Sequence, residues 1–263
     1  MPLVMGVLNV TPDSFFDGGR YLDTDAAVAH GLKLVAEGAD IIDVGGESSR
    51  PGAETVPVEV ELARVIPVIS ALAGTVRLSV DTMKPEVAQA AVAAGASLIN
   101  DISAAQWEVA LGSGSGWVVM HMRGMPQSMQ DDPVYVDVVD EVFSFLLGRA
   151  RVALDAGVKE VWVDPGIGFG KTIDHNLSLL RHLPELVKGA AELSCAGVAV
   201  GTSRKRFLGL LAAPGSDIPA DVEQRAEGSL ATAVAAMVAG AGMVRVHDVQ
   251  PTVQAARLYG PAA

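Results

Sequence analysis

Four times along the chain a helix-like stretch closes on a glycine and runs almost at once into an apolar segment. The four junctions are Glu37-Gly38-Ala39-Asp40 before Ile41, Ala94-Gly95-Ala96-Ser97 before Leu98, Ala156-Gly157-Val158-Lys159 before Glu160, and Ala239-Gly240-Ala241-Gly242 before Met243. Glycine just past the last turn takes the left-handed conformation that ends a helix, so each tetrapeptide reads as a C-cap feeding a strand. Further strands are readable at Leu3 to Val10, Leu78 to Val80, Trp117 to Met120 and Val198 to Val200, which brings the expected number to eight. Eight alternations of strand and helix predict a (β/α)8 TIM barrel, with an open doubly wound sheet as the alternative. Between strands, Val28, Leu32 and Val35 mark one face of a helix stopped at Gly38. A second stripe of Leu62, Val65, Ile66, Ile69 and Leu72 contains Pro67, which is expected to bend its helix.

Length and composition agree with a single domain over residues 1–263: half of the residues are hydrophobic and 19% are charged, enough for a large core. With 31 acidic against 19 basic residues the formal charge is -12, which argues against nucleic acid or an anionic membrane as partner and leaves small molecules. No basic segment leads into an apolar run at Met1, and no apolar run approaches membrane-spanning length, so a cytoplasmic protein is expected. Cys195 is the one cysteine; no intrachain disulfide can form, and a structural thiol is expected. Neither His-Glu-x-x-His nor a His/Cys cluster is present, so zinc is not expected.

In such barrels the chemistry gathers at the carboxyl ends of the strands. Here those ends carry Asn9, Asp43, Asp81, Asn100 with Asp101, His121, Asp164, Ser203, and Arg245 with His247. The same rim is expected to collect the cations Arg50, Lys171, Arg204, Lys205, Arg206 and Arg245, an excess that suits a phosphorylated substrate. The stretch Val163 to Thr172 looks like a nucleotide loop but is not one. A Walker loop would need glycine where Pro165 stands, and the dinucleotide fingerprint would need a third glycine where Lys171 stands. It reads instead as a strand ending in Asp164, a bend at Pro165-Gly166 and a loop carrying Phe169, together a pocket floor.

At these residues the chain resembles the dihydropteroate synthases of folate biosynthesis. The resemblance rests on Met5 to Gly19, Gly45 to Ala53, Val80-Asp-Thr82, Ile99 to Ile102, Met120 to Gly124, Asp164 to Lys171, Gly201 to Arg206 and Arg245 to Asp248. It implies a transferase that condenses 6-hydroxymethyl-7,8-dihydropterin diphosphate with 4-aminobenzoate, a homodimer, a magnesium ion and a sulfonamide target. Position by position it implies a pterin pocket of Asp81, Asn100, Asp164 and Lys205 and a diphosphate side of Asn9, Arg245 and His247, with Asn9 as the magnesium ligand. Around 4-aminobenzoate it implies Ser49, Arg50, Pro51, Phe169 and Ser203, with loops near Phe15 and Arg50 closing over it. Asp81, Asp164, Lys205, Arg245 and His247 would carry the catalysis.

Three departures stand out. Ser49 replaces a common threonine, Arg206 replaces a common serine, and Ser103 to Gly116 is short, lacking part of a helix. A non-catalytic pterin-binding paralogue and the pterin-binding domain of corrinoid methyltransferases are the competing readings. The intact set of matched residues disfavours the first. The loops Asp13 to Gly19 and Ser48 to Ala53, with Ser203 to Arg206, disfavour the second.

Overall fold

The computed structural model describes residues 1–11, 24–48 and 54–259. Eight strands, β1 (Leu3–Asn9), β2 (Ile41–Gly45), β3 (Arg77–Asp81), β4 (Leu98–Asp101), β5 (Gly116–Met120), β6 (Val161–Asp164), β7 (Gly197–Val200) and β8 (Met243–Val246), follow one another around a closed barrel. All neighbours are parallel, and the pairing of β1 with β8 closes the ring, which excludes the open sheet. Ten helices surround it among the described residues: α1 (Thr24–Ala36), α2 (Val58–Leu72), α3 (Pro85–Ala94), α4 (Trp107–Ser113), α5 (Val138–Ala156), α6 (Ile173–Arg181), α7 (Leu183–Glu192), α8 (Arg206–Ala212), α9 (Ala226–Val238) and α10 (Val249–Tyr259).

The four glycine junctions behave alike. Gly38, Gly95, Gly157 and Gly240 all lie at positive φ, between 97° and 124°. In each, the next N–H reaches back to the carbonyl five residues earlier: Ala39 to Leu34, Ala96 to Ala91, Val158 to Ala153 and Ala241 to Ala236, at 2.9–3.1 Å. This is the Schellman closure, which satisfies carbonyls at the helix end and turns the chain toward the sheet. A fifth junction of the same geometry follows α7, where Cys195 N–H reaches Ala190 and Ser194 takes φ 61°. It carries no glycine, so the sequence pattern does not reveal it.

Side chains alternate across each strand. One set fills the barrel: Met5, Ile41, Leu98, Val118, Trp162, Ala199 and Met243 form a separate apolar cluster inside it. The Trp162 ring has room because Gly197 and Gly242 lie against it; a Cβ at Gly197 would stand 2.8 Å from the ring. The other set packs outward against the helices in the main core.

Two helical details differ from the expectation. In α1 the buried face is Ala27, Gly31 and Leu34, whereas Leu32 is 46% exposed and Val28 and Val35 are half-buried. The face is turned by one position because Gly31 admits the Leu72 and Leu8 side chains, a contact that hydrophobicity alone does not register. Helix α2 runs on through Pro67 to Leu72, with Val65, Val68, Ile69 and Leu72 buried along with Glu61. The short segment Ser103 to Gly116 retains a seven-residue helix, α4, capped by Gly114 in the left-handed conformation. No helix among the described residues is long and apolar enough to cross a membrane.

Candidate active site

Two-residue periodicity carries the interior plug into the barrel mouth. Ile41 leads to Asp43, Leu98 to Asn100, Trp162 to Asp164, and Met243 to Arg245 and then His247; on β3, Asp81 lies in register with Asn100. The result is a ring of charge on an apolar floor. Arg245 Nε donates to Asp43 Oδ2 at 2.6 Å and its Nη2 to Asp81 Oδ2 at 2.7 Å, while Asn100 Nδ2 donates to the same Asp43 oxygen at 2.9 Å. Asp43 is fully buried, and its Oδ1 has no hydrogen-bond partner.

One guanidinium between two carboxylates neutralises one of them. Burial first, and then the neighbouring Asp43 charge, push the Asp81 carboxyl up to about 7, although Arg245 pulls the other way. Asp164 is likewise raised by burial against the pull of Lys205, and Gly166 N–H donates to its Oδ1 at 2.7 Å. Burial lowers Lys205 to about 8, partly opposed by Asp164. Its Nζ donates to the Ile167 carbonyl and stands 4.6 Å from the centre of the Phe169 ring. On the adjoining side, Ser203 Oγ accepts from His247 N–H at 3.2 Å and lies 3.0 Å from its Nδ1.

Asp81, Asn100, Asp164, Lys205, Arg245, His247, Phe169 and Ser203 thus surround one mouth, and Asn9 Oδ1 faces it from β1 near Gly45. Ser49, Arg50 and Pro51, and the loop holding Phe15, lie outside the described residues. Asp43 is the polar group whose part the sequence left unassigned, although the parity of Ile41 and Asp43 on a buried strand is a readable signal.

The expected rim needs correction at three kinds of position. Asp101, one residue beyond Asn100, falls on the opposite face of β4: it accepts from the N–H groups of Ser103, Ala105 and Gln106 and from the Trp117 indole, and so braces the turn into α4. His121 is similarly turned outward, edge-on to Phe145 with ring centres 5.2 Å apart. Burial and the nearby Lys171 lower it to about 3. Of the cations, Lys171 is 3% exposed beneath the loop, Arg204 pairs with Asp248 at 2.7 Å, and Arg206 donates to the Asp217 carbonyl. Arg204 lies at φ 59°, with its N–H on Ser229 Oγ and its carbonyl held by Arg225. Asp248 is therefore the carboxylate that offsets cationic charge at the start of α8. Lys205 and Arg245 remain as the described cations of the mouth. A cavity of about 510 Å³ lies to one side, between α1, α9 and α10, and meets the site at Ser203 and His247.

Cys195 is half-buried, with its thiol raised by burial, as expected of a structural residue. His175 completes a capping box with Thr172 at the start of α6. Neither belongs to the mouth.

Residues 5–247 match the family described as pterin binding enzyme. The chain is 46% identical to the dihydropteroate synthase of Mycobacterium leprae, covering 98% of this chain and 92% of that protein, and 45% identical to that of Escherichia coli, covering 98% and 90%. Among solved structures, the Xanthomonas albilineans dihydropteroate synthase with 4-aminobenzoic acid superimposes with a TM-score of 0.86 at 48% identity, covering 98% of this chain and 92% of that one. The Yersinia pestis enzyme with a sulfonamide drug superimposes with a TM-score of 0.87 at 43% identity, covering 98% and 93%. By sequence and fold alike, the chain belongs to the dihydropteroate synthases of the pterin-binding enzyme family.

Proposed function

We propose that the barrel mouth joins 6-hydroxymethyl-7,8-dihydropterin diphosphate to 4-aminobenzoate, forming 7,8-dihydropteroate and releasing diphosphate. The observation that carries this reading is the pairing of an acid-lined inner pocket, Asp81, Asn100 and Asp164, with Arg245 and His247 beside it on β8 and just beyond. Asp164 keeps carboxylate lone pairs beyond the one given to Gly166, so it can take two parallel donors from the pterin amino edge. Asn100 donates to Asp43 and retains its carbonyl oxygen for the ring. Arg245 uses Nε and Nη2 on carboxylates, which orients its remaining N–H groups for the diphosphate.

In this reading the bond from the pterin methylene carbon to the diphosphate oxygen breaks early, and the leaving charge is met by Arg245 and His247. The cationic pterin left behind faces Asp81 and Asp164. The 4-aminobenzoate nitrogen, seated between Phe169 and Ser203, then forms the C–N bond and gives up one proton. Magnesium would be held by the Asn9 side-chain oxygen together with substrate phosphate oxygens, and it would supply charge neutralisation of the diphosphate. The aminobenzoate seat is also where a sulfonamide would compete. A homodimer in the cytoplasm, acting on these two small molecules, completes the reading, and a formal charge of -12 disfavours nucleic acid as a partner.

The test is release of diphosphate from the pterin diphosphate with and without 4-aminobenzoate. Release that depends on the amine, with equimolar 7,8-dihydropteroate formed, is expected. Release independent of the amine, or none, would sink the proposal.

A further inference from the structure

Between Gly166 and Gly170 the loop after β6 leaves no carbonyl oxygen idle. Gly166 O accepts from Phe169 N–H at 3.1 Å and from Lys171 Nζ at 2.9 Å. Ile167 O accepts from Lys205 Nζ, Gly168 O from Gln130 Nε2 at 2.7 Å, Phe169 O from Lys171 Nζ at 3.0 Å, and Gly170 O from Tyr135 Oη at 2.8 Å. Lys171 holds two of the five and ties them to the end of β5: the same ammonium donates to the His121 carbonyl at 3.2 Å and lies 3.1 Å from His121 Nδ1. An ammonium carries three N–H donors, and the Gly166, Phe169 and His121 carbonyls account for all three.

Lys171 is 3% exposed and pairs with no carboxylate among the described residues. Burying a lone ammonium is costly, and an apolar side chain of the same length would avoid that cost. What an apolar side chain would not do is fix the direction of the Gly166, Phe169 and His121 carbonyls at once. The Phe169 carbonyl sets the peptide plane that follows its α-carbon, and the Gly166 carbonyl, which also accepts from Phe169 N–H, sets the start of its turn. Asp164, by contrast, is placed by its pairing with Met120 in the sheet and by Gly166 N–H.

We propose that Lys171 is a positioning residue for the amine half of the reaction: by gripping the Gly166 and Phe169 carbonyls against the end of β5, it fixes the Phe169 ring and with it the seat of 4-aminobenzoate. This inference rests on the reading of Phe169 as a wall of that seat, and the experiment separates the two. Steady-state kinetics with each substrate varied in turn are compared for the unaltered enzyme, K171M and F169A, and binding of pterin diphosphate alone is measured by calorimetry. K171M is expected to raise the KM for 4-aminobenzoate about tenfold or more, because small displacements of a positioning group are costly. Its Kd for pterin diphosphate should stay within about twofold, and its kcat at saturating amine should fall much less than kcat/KM.

F169A is expected to raise the same KM. If F169A does so and K171M does not, the inference is overturned while the reading of Phe169 stands. If F169A leaves that KM unchanged, the reading of Phe169 fails and the inference falls with it. A lysine that merely supported the fold would lower the active fraction, and so the apparent kcat, with both KM values unchanged; that outcome overturns the inference as well. Should K171M not accumulate as folded protein, K171Q, which keeps N–H donors on a side chain one bond shorter, is judged by the same split between KM and kcat.

Discussion

The two sides of the barrel mouth are organised by different forces. On the side of β2, β3, β4 and β8, position is set by charge: Asp43, Asp81 and Arg245 hold one another through two short ion pairs, and Asn100 joins them through Asp43. On the side of β5 and β6, position is set by backbone geometry, with Gly166, Gly168 and Gly170 at φ 64°, 85° and 60° and their carbonyls all engaged. The charged side can redistribute protons and hydrogen bonds when a ligand arrives. The backbone side is over-determined and offers a fixed wall. The proposed reaction, which expels diphosphate and joins an arylamine to the pterin, has use for both.

The largest effect is expected on the charged side. Arg245→Ala removes the cation that the proposed reaction sets against the departing diphosphate and strands a fully buried carboxylate at Asp43; kcat/KM for diphosphate release should fall by about 10² or more. Removing one member of a buried pair also costs about 3–5 kcal/mol, which a denaturant titration will read. If turnover stays near normal, the division into two kinds of half-site is wrong. Next comes Gly166→Ala: a Cβ there would meet the His121 carbonyl oxygen, and φ 64° is a conformation that alanine resists. Stability should drop by about 1–3 kcal/mol from the backbone alone, with activity lost as the Asp164 turn shifts. A well-folded, fully active Gly166→Ala protein would show that the wall is softer than its hydrogen bonds imply.

A pH profile sharpens the comparison. In the proposed reaction Asp81 would act as a carboxylate, which holds above about 7, and Lys205 as an ammonium, which holds below about 8. The profile of kcat/KM, which reports the free enzyme, should therefore be a narrow bell between those values. Asp43→Asn keeps an oxygen to accept from Arg245 and Asn100 but removes the charge that raises Asp81. The acidic limb should then move to lower pH by about one unit, with the alkaline limb little changed; an unmoved acidic limb would take Asp43 out of this role. The smallest effect belongs to Gln130→Ala, which deletes a single exposed hydrogen bond to Gly168 O. With the rest of the loop clamped, the loss should be about 0.5–1.5 kcal/mol or less, and both KM values should be unchanged.

The alternation of strand and helix was legible because glycine at a helix end has a conformational reason to be there, and four such ends punctuate the sequence. The fifth leaves no such mark, because Ser194 adopts the same backbone without being a glycine. The mouth residues were legible as strand ends, but the ends alone did not distinguish faces: Asn100 points into the barrel and Asp101 out of it, one residue apart. Counting by twos from Leu98 or Trp162 separates them, and the same count takes Met120 inward and His121 outward. Lys171 is illegible for another reason. A lysine beside a glycine-rich loop looks like a ligand for phosphate, yet its partners are carbonyl groups of the loop itself, which leave no signature in side-chain chemistry. Asp43 reads as a strand terminus until Arg245, 202 residues away, is brought against it by closure of the barrel.

The plug formed by Met5, Ile41, Leu98, Val118, Trp162, Ala199 and Met243 has a role beyond filling space. It keeps water from approaching the mouth charges from below, so the fields of Asp43 and Arg245 pass through a medium of low permittivity and act at closer to full strength. Trp162 in turn reaches the opposite end of the barrel, where its indole donates to Glu160 and Glu160 is held by Arg77. Insulation is thus a property of the far end of the molecule. A substitution that loosened Trp162 would let water in under Asp81 and reset its proton affinity without touching either substrate.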